Sequence, residues 1–312
     1  MPTRTAVTIE GRELSVSNLD KVLYPEVGFT KAQVIDYYVR VAPYLLPHIV
    51  GRPMTLKRYP NGVAGQFFYE KNCPDHRPDW IRTAKLPTDG SGRWGKPATG
   101  PGFIDFCVID DLPTLVWIMN LASIELHPYL HRVDAHDQPT SVVFDLDPGP
   151  PAALLECAEV ALQLRALFDR IGLVSVVKTS SSKGLQVYVP LNLGATYAEA
   201  TPFTQAVAQV LERARPDLVV SKQAKDKRVG KVLVDWSQNS VHKTTSGVYS
   251  LRARERPWVS APVTWDEVEA ALDARDVALL TFEAAEVVER VERDGDLFAP
   301  LLEVEQKLPQ LA

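Results

Sequence analysis

Two aspartates separated by a single residue are the first sign of chemistry in this sequence. Asp145 and Asp147 end the apolar segment Ser141-Val-Val-Phe-Asp-Leu-Asp147. In a β-strand alternate side chains face the same side, so the two carboxylates would share one face while Phe144 and Leu146 enter the core. Carboxylates this close repel each other unless a cation lies between them, and magnesium and manganese prefer carboxylate oxygens. The pattern favours a divalent-metal site, although aspartates where a strand runs into a proline turn can simply make turn hydrogen bonds.

Two further segments could complete such a site. Lys231-Val-Leu-Val-Asp235 is a second apolar strand, and in a neighbouring position it would bring Asp235 to the same cations. Lys178-Thr-Ser-Ser-Ser-Lys-Gly184 joins hydroxyl groups, two lysines and a glycine at a strand-to-turn junction, a composition that suits phosphate binding. A serine-rich turn is most often only a turn, but the three segments together favour two-metal phosphoryl transfer from a triphosphate.

The elements that would position these residues follow from apolar periodicity and turn residues. The predicted order is strand, helix, strand, strand, helix, strand and strand, over residues 140–147, 152–171, 173–179, 185–191, 198–213, 218–221 and 231–236. This order predicts a mixed α/β fold with helices on one face of a small sheet, similar to the RNA-recognition-motif arrangement. We expect residues 136–312 to form this catalytic module, with a C-terminal helical segment that begins at a capping box, Thr264 to Glu267.

Residues 1–135 are expected to form an N-terminal α/β module that contacts DNA, so that 1–312 is one catalytic unit. Thr30 and Gln33 form a capping-box pattern, and apolar residues at helical spacing predict a helix over 31–46. Strands are predicted over 55–59, 65–70 and 124–129, and a second helix over 112–123.

The composition is that of a globular protein, with 46% hydrophobic and 23% charged residues. No apolar run approaches the roughly 20 residues that span a bilayer, and the N-terminus lacks an apolar signal core. We therefore expect a cytoplasmic protein with no membrane partner. Cys73, Cys107 and Cys157 are odd in number, far apart and in no CxxC pair, which argues against a disulfide scaffold or a structural zinc site and predicts core thiols.

A net charge of −5 argues at first against a nucleic-acid partner. The charge is unevenly distributed, however: residues 221–256 contain nine basic and three acidic residues, whereas residues 264–305 contain three basic and thirteen acidic ones. A basic working surface can therefore coexist with an acidic chain, although solvated faces of opposite sign are the commoner explanation. The Gly- and Pro-rich segment 87–102 carries Arg93, Trp94 and Lys96, which could stack on a single strand or belong to an ordinary surface loop.

Three segments resemble, in order and spacing, the three motifs of the archaeo-eukaryotic primase superfamily. They are Phe-Asp-Leu-Asp-Pro (144–148), Thr-Ser-Ser-Ser-Lys-Gly-Leu-Gln-Val-Tyr-Val-Pro-Leu (179–191) and Val-Asp-Trp-Ser-Gln-Asn (234–239). The closer likeness is to the polymerase domain of bacterial ligase D, the end-joining repair enzyme. It extends to Asn-Leu-Asp-Lys-Val-Leu-Tyr-Pro (18–25), Gly-Arg-Pro-Met-Thr-Leu-Lys-Arg-Tyr-Pro (51–60), Glu-Leu-His-Pro-Tyr (125–129) and Tyr-Ser-Leu-Arg-Ala-Arg (249–254). No room remains for a ligase or phosphoesterase module, so the resemblance implies a stand-alone member.

The resemblance implies metal and nucleotide roles at the matched positions. Two manganese or magnesium ions would be held by Asp145, Asp147 and Asp235, where a primer 3′-hydroxyl attacks the α-phosphate. The nucleoside triphosphate would be bound by Ser180, Lys183, Gln186 and Arg252, with Lys57 and His127 near the sugar. Alternatively, His127 could be a structural histidine.

The resemblance also implies DNA contacts. Lys21 and Lys31 would engage a downstream 5′-phosphate, and Phe68 would stack on the templating base, because lysines are compact phosphate anchors and aromatic rings accept any base. Alternatively, Phe67 or Phe68 could be core, and the two lysines ordinary surface charges.

The function that follows is a template-directed nucleotidyltransferase that fills short gaps at broken DNA carrying a 5′-phosphate. The resemblance implies a preference for ribonucleotides over deoxyribonucleotides and for manganese. It also implies that the protein works in the nucleoid, with end-joining repair proteins as partners. Two rivals remain open: a metal-dependent nuclease or phosphohydrolase using the same carboxylates, and a non-catalytic DNA-end-binding module.

Two departures from the family pattern Ser-Gly-x-Lys-Gly-x-His bear on turnover. Ser181 replaces the glycine and Gln186 replaces the histidine. A histidine can donate to a phosphate as a cation, whereas glutamine donates only as a neutral amide. We therefore predict that Gln186→His raises nucleotide incorporation or tightens apparent nucleotide affinity in a primer-extension assay; no change in either would mean that the substitution is already compensated.

Overall fold

The computed structural model describes residues 4–88, 102–181 and 183–309. In the N-terminal part the strands and helices are β1 Arg4–Ile9, β2 Arg12–Ser17, β3 Val22–Tyr24, β4 Phe29–Thr30, α1 Lys31–Ile49, β5 Pro53–Arg58, β6 Phe68–Glu70, β7 Thr83–Thr88, β8 Gly102–Val108, α2 Leu112–Asn120 and β9 Ser123–Pro128. Strand β5 is central, since it pairs antiparallel with β6, β8 and β9, while β7 extends the sheet beyond β8. Helices α1 and α2 contribute to the same apolar core as β5 and β9.

The remaining elements are β10 Ser141–Pro148, α3 Leu154–Arg170, β11 Val176–Thr179, β12 Leu185–Pro190, α4 Tyr197–Ala214, β13 Val219–Val220, β14 Val232–Asp235, β15 Pro262–Val263, α5 Trp265–Ala274, α6 Ala284–Asp294 and α7 Pro300–Glu303. Short 3-10 helices cover Lys225–Lys227, Trp236–Gln238 and Val277–Leu280. The strands form a sheet in the order β13-β14-β10-β12-β11-β15, in which only the β13–β14 pair is parallel among the described strands.

The two faces of β10 have different surroundings. Val142, Phe144 and Leu146 are fully or almost fully buried in a core shared with α3 and α4. The intervening residues Val143 and Asp145 lie on the opposite face, and Val143 joins the core of the N-terminal half. The alternation read from the sequence is therefore the observed one, and it turns the acidic side chains away from the helices.

The mixed α/β fold class predicted from the sequence is confirmed, with a helix-backed sheet in the second half of the chain. Both predicted capping boxes, at Thr30 and Thr264, are present. The division into modules at residue 135 stays a prediction. The hairpins β1–β2 and β7–β8 were not predicted. No helix within the described ranges is long and apolar enough to cross a membrane.

The prediction of three core thiols is wrong for two of them. Cys73 and Cys107 form a disulfide, with their Cα atoms 4.8 Å apart, although 34 residues separate them in sequence. The chain after β6 runs along β8, where the Cys73 amide donates to the Asp105 carbonyl, and this long-range pairing is invisible to cysteine spacing. Cys157 is free and buried, as predicted.

The burial of Phe144 predicts a measurable stability effect. Its ring is fully buried and its centroid lies 5.4 Å from that of Phe168, on the face of β10 opposite the aspartates. Phe144→Ala should lower the free energy of unfolding by about 3–5 kcal/mol, because a large cavity opens in the core. Chemical denaturation measures this. The exposed helical Val210, changed to Ala, serves as the control and should stay within about 0.5 kcal/mol of the unmodified chain; an equal loss in both variants would contradict the packing assignment.

Candidate active site

Three predicted metal ligands lie at the centre of the second sheet. Asp145 on β10 is directly opposite Asp235, the last residue of β14, and Asp147 follows two residues along β10. Residues paired across antiparallel strands have Cα atoms about 4.5–5.5 Å apart. The fold therefore sets Asp235 directly opposite Asp145, with Asp147 on the same face of β10, which sequence spacing alone could not establish for Asp235.

The oxygens of these carboxylates are turned toward protein donors. Asp147 accepts from Arg228 at 3.1 Å, and Asp235 accepts from the backbone amide of Ser237 at 2.9 Å and from Gln223 at 3.1 Å. Accordingly, no group of three metal-ligating side chains is gathered around one point in the described part of the chain. The donor set itself fits a hard divalent cation, because it consists of three carboxylates on neighbouring positions.

The surroundings of Asp145 disfavour the ionised form of its carboxyl group. Burial, together with the charges of Asp235 and Asp147, raises its pKa to about 6, although a hydrogen bond of 3.1 Å from Gln186 opposes the shift. Burial and like charges both disfavour the ionised form. A cation bound beside Asp145 would relieve both effects.

The turn after β11 is fixed against the same strand. Ser180 Oγ donates to the Gly184 carbonyl at 2.9 Å, and the Gly184 amide donates back to Ser180 Oγ at 3.2 Å. A Cβ atom at Gly184 would collide with the carbonyl oxygen of Leu146, the residue between the two β10 aspartates. Glycine is therefore required here for the turn to approach the acidic strand.

A cavity of about 740 Å³ joins the acidic strand to this turn. Among the predicted site residues its lining includes Asp145, Asp147, His127, Ser180, Lys183, Gln186 and Arg252. The cavity is also lined by polar residues that were not predicted from the sequence, which include Lys71, Gln238, His242 and Lys243. Asp235 and Lys57 are not among the lining residues. Asp235 lies opposite Asp145 on the neighbouring strand, and Lys57 bonds to Glu125, which also bonds to the lining residue His127.

Glu125, a buried carboxylate that was not predicted as a site residue, binds several cationic side chains beside the cavity. Glu125 is 2% exposed and accepts hydrogen bonds from Lys57 Nζ at 3.1 Å and from His127 Nε2 at 2.9 Å. Its second oxygen also lies 3.5 Å from an Arg252 guanidinium nitrogen, and the Ala253 amide donates to the first at 3.1 Å. Three predicted nucleotide-binding residues thus converge on one carboxylate, which alternates with His127 on β9, and this i, i+2 spacing was the available signal.

The pKa values within this cluster follow its charges. Burial alone would raise the pKa of Glu125, but the His127 hydrogen bond and the charges of Arg252 and Lys57 hold it well below its usual range. Burial lowers the pKa of His127, and Arg252 and Lys57 lower it further, against the opposing effect of Glu125. His127 lines the cavity, is partly exposed, and bonds to an ionised carboxylate.

The predicted DNA-binding residues lie on the N-terminal part of the fold. Lys31 is 4% exposed and donates to the Ser17 carbonyl and to Asn120 Oδ1, both at 2.6 Å, so it is not an ordinary surface charge. Burial lowers its pKa to about 8, helped by the charges of Lys21 and Arg58. Lys21 is exposed, and its backbone carbonyl accepts from the Lys31 amide at 2.8 Å. The two lysines therefore lie side by side.

Phe67 and Phe68 are 47% and 43% exposed, so neither is a core residue. The Arg58 guanidinium lies 5.1 Å from the centroid of the Phe68 ring, and Lys57 Nζ lies 4.5 Å from that of Phe67. Exposed rings beside cations suit base stacking. Residues Arg93, Trp94 and Lys96, proposed above as a possible single-strand contact, lie outside the described residues.

The convergence on Glu125 predicts a stability effect. Glu125→Gln should lower the free energy of unfolding by about 3 kcal/mol, because it leaves buried cations without a counter-charge. The ionised carboxylate has a lower pKa in the folded state, so its contribution is full above pH 4.5 and is lost as the pH falls below that value. Urea denaturation at pH 7 and at pH 4 should therefore show a smaller difference between the two proteins at pH 4.

The control for this experiment is Glu292→Gln, which removes an exposed ion pair with Arg40. It should change stability by less than about 1 kcal/mol. Equal losses in the two variants, or a difference that does not shrink at low pH, would contradict the role given to Glu125.

Comparisons with known proteins show which family the chain is similar to. The family model described as "LigD, primase-polymerase domain" matches residues 30–298. The chain is 42% identical over 288 residues to the multifunctional non-homologous end joining protein LigD of Mycolicibacterium smegmatis, covering 92% of this chain and 36% of that protein. It is 32% identical over 284 residues to the bifunctional LigD of Bacillus subtilis, covering 91% of this chain and 43% of that protein. The chain thus spans well under half the length of these relatives.

A solved structure gives the same answer for the fold. The polymerase domain from Mycobacterium tuberculosis ligase D, in complex with DNA, is 42% identical and superposes with a TM-score of 0.83, covering 92% of this chain and 97% of that one. The resemblance read from the sequence motifs is thereby confirmed. This chain belongs to the LigD primase-polymerase domain family.

Proposed function

We propose that this chain is a metal-dependent, template-directed nucleotidyltransferase that fills short gaps at broken DNA ends. The observation that carries the proposal is the register of β10 and β14, which sets Asp145 opposite Asp235 beside a cavity lined by Ser180, Lys183 and Arg252. Acidic and phosphate-binding groups therefore meet at one place, as phosphoryl transfer requires.

Asp145, Asp147 and Asp235 would hold two divalent ions, with manganese preferred over magnesium. When bound, such ions make a primer 3′-hydroxyl more acidic and offset the charge that develops on the α-phosphate. The protein itself contributes position. Gln186 orients the Asp145 carboxylate through a hydrogen bond of 3.1 Å, and Ser237 and Gln223 orient Asp235.

The opposite wall of the cavity suits the triphosphate and the sugar. Lys183 is an exposed cation on the turn that Gly184 holds against β10, and Arg252 lies beside Glu125. Positive charges at these places complement a nucleoside triphosphate with its metal ions. Lys57 and His127 are held by the same carboxylate, and we assign them to the ribose, with ribonucleotides preferred over deoxyribonucleotides.

The N-terminal surface suits DNA with a 5′-phosphate. Lys21, Lys31 and Arg58 form a basic cluster whose repulsion, together with burial, lowers the pKa of Lys31 to about 8. An arriving phosphate favours the protonated lysine and relieves this repulsion. Phe68, exposed beside Arg58, is placed to stack on a templating base. A chain working on broken DNA would act in the nucleoid, alongside end-joining repair proteins.

A primer-extension assay tests this proposal on a gapped duplex carrying a downstream 5′-phosphate. Asp145→Ala should reduce templated extension with manganese at least about a hundredfold, because it removes a ligand worth several kcal/mol of transition-state stabilisation. The gel shift of the same duplex should be unchanged. Asp169→Ala, on the exposed face of α3, is the matched control and should extend normally.

The same assay distinguishes the other functions. Templated extension that prefers ribonucleotides supports the proposal in full, whereas shortening of the labelled strand indicates a nuclease. A gel shift without any product indicates a non-catalytic end-binding module. Extension by Asp145→Ala at the rate of the unmodified chain would remove the metal assignment.

A further inference from the structure

A row of four polar side chains crosses the second sheet at one level. In the strand register Lys178 of β11 is opposite Gln186 of β12, Gln186 is opposite Asp145 of β10, and Asp145 is opposite Asp235 of β14. All four lie on the face away from α3 and α4, since the residues flanking them on each strand fill the core with those helices. The row thus runs from a cation at one end to two carboxylates at the other.

Lys178 is an unusual end to this row because its ammonium group is completely buried. Nζ donates to Ser260 Oγ at 2.6 Å and to Ser246 Oγ at 3.4 Å, and it lies 5.8 Å from the centroid of the Tyr188 ring. Within the described residues no carboxylate forms an ion pair with it. Burial lowers the pKa of Lys178 well below its usual range, and Arg252 lowers it further while Asp145 raises it. A buried cation held only by hydroxyl groups is costly unless an anion comes near.

Hydrogen bonds connect Lys178 to the cavity. Ser246 lines the cavity and donates to Gln186 Oε1 at 3.4 Å, to which the Tyr188 hydroxyl also donates at 3.2 Å. The carbonyl of Gln186 therefore faces Lys178, through Ser246, and its amide faces Asp145. Gln186 orients a carboxylate but brings no charge.

We propose that Lys178 supplies, from behind the cavity wall, the positive charge for the triphosphate that Gln186 cannot supply. This inference rests on the proposed function. Lys178 touches no substrate, so it is a positioning residue that acts through Ser246 and through its field. This role of Lys178 also accounts for the tolerance of glutamine where the family pattern has histidine. The positive charge lies in the same row of side chains, but on β11 and not on the neighbouring strand β12.

The first test is Lys178→Met, which keeps the length of the side chain and removes the charge. On the gapped duplex the KM for the nucleoside triphosphate should rise about tenfold, while kcat changes less than threefold, because a ground-state attraction for an anion is lost. The midpoint temperature of thermal unfolding should not fall, since replacing a buried unpaired charge by an apolar group is often neutral or stabilising. Thr204→Val, a buried hydroxyl change on α4, is the control and should leave KM unchanged.

The decisive test is rescue by a second substitution. In Lys178→Met/Gln186→His the histidine returns a cation to the neighbouring position, and KM should fall to within about threefold of the unmodified chain. Gln186→His alone should change KM little, because Lys178 already provides the charge; this expectation replaces the gain in affinity predicted from the sequence alone. An unchanged KM in Lys178→Met overturns the inference, as does a raised KM that comes with lowered stability and no rescue.

These outcomes are distinct from failure of the proposed function. If the unmodified chain does not extend a primer, the polymerase proposal fails, and Lys178 is then judged by calorimetric affinity for ATP. A tenfold weaker affinity in Lys178→Met, restored by the histidine, supports the charge assignment; equal affinities refute it.

Discussion

The repulsion between Asp145 and Asp235 is the constraint around which the second half of the molecule is organised. Like charges directly opposite on neighbouring strands destabilise a sheet. Here they are held together because the other face of β10 buries Phe144 and Leu146 against two helices. Packing on one side of a strand thus maintains an unfavourable charge distribution on the other. Burial and this repulsion raise the pKa of Asp145 to about 6.

The charges of the cavity are divided between the two sheets. The acidic groups belong to β10 and β14, whereas Lys57 and His127 belong to β5 and β9 and are gathered by Glu125. The second sheet itself carries both signs, since Lys178 lies on β11 and Lys183 on the turn that follows it, and the first sheet adds further cations. A substrate that carries metal ions on one side and phosphates and a sugar on the other complements the space between them. The local arrangement of charges, and not the total charge of an acidic chain, decides which substrates a cavity can bind.

The sequence predicted what depends on local periodicity. Alternation in the segment ending at Asp147 assigned the two aspartates to one face, and the capping pattern at Thr30 set the start of α1. Features that depend on pairing between distant strands were missed. Glu125 could not be recognised as a partner of Lys57 before β5 and β9 were aligned. The Cys73–Cys107 bond depends on the path of the chain along β8. The burial of Lys31 likewise comes from its partners at a distance in sequence.

The contact between Gly184 and the Leu146 carbonyl has a mechanical consequence. Main chain rests on main chain at this point, so the spacing between the serine turn and the aspartate strand is set by backbone atoms and not by adjustable side chains. The turn and the strand accordingly share one rigid frame. Substitutions in the surrounding core can shift this frame as a whole, but they cannot easily alter the interval between Ser180 on the turn and the aspartates on β10.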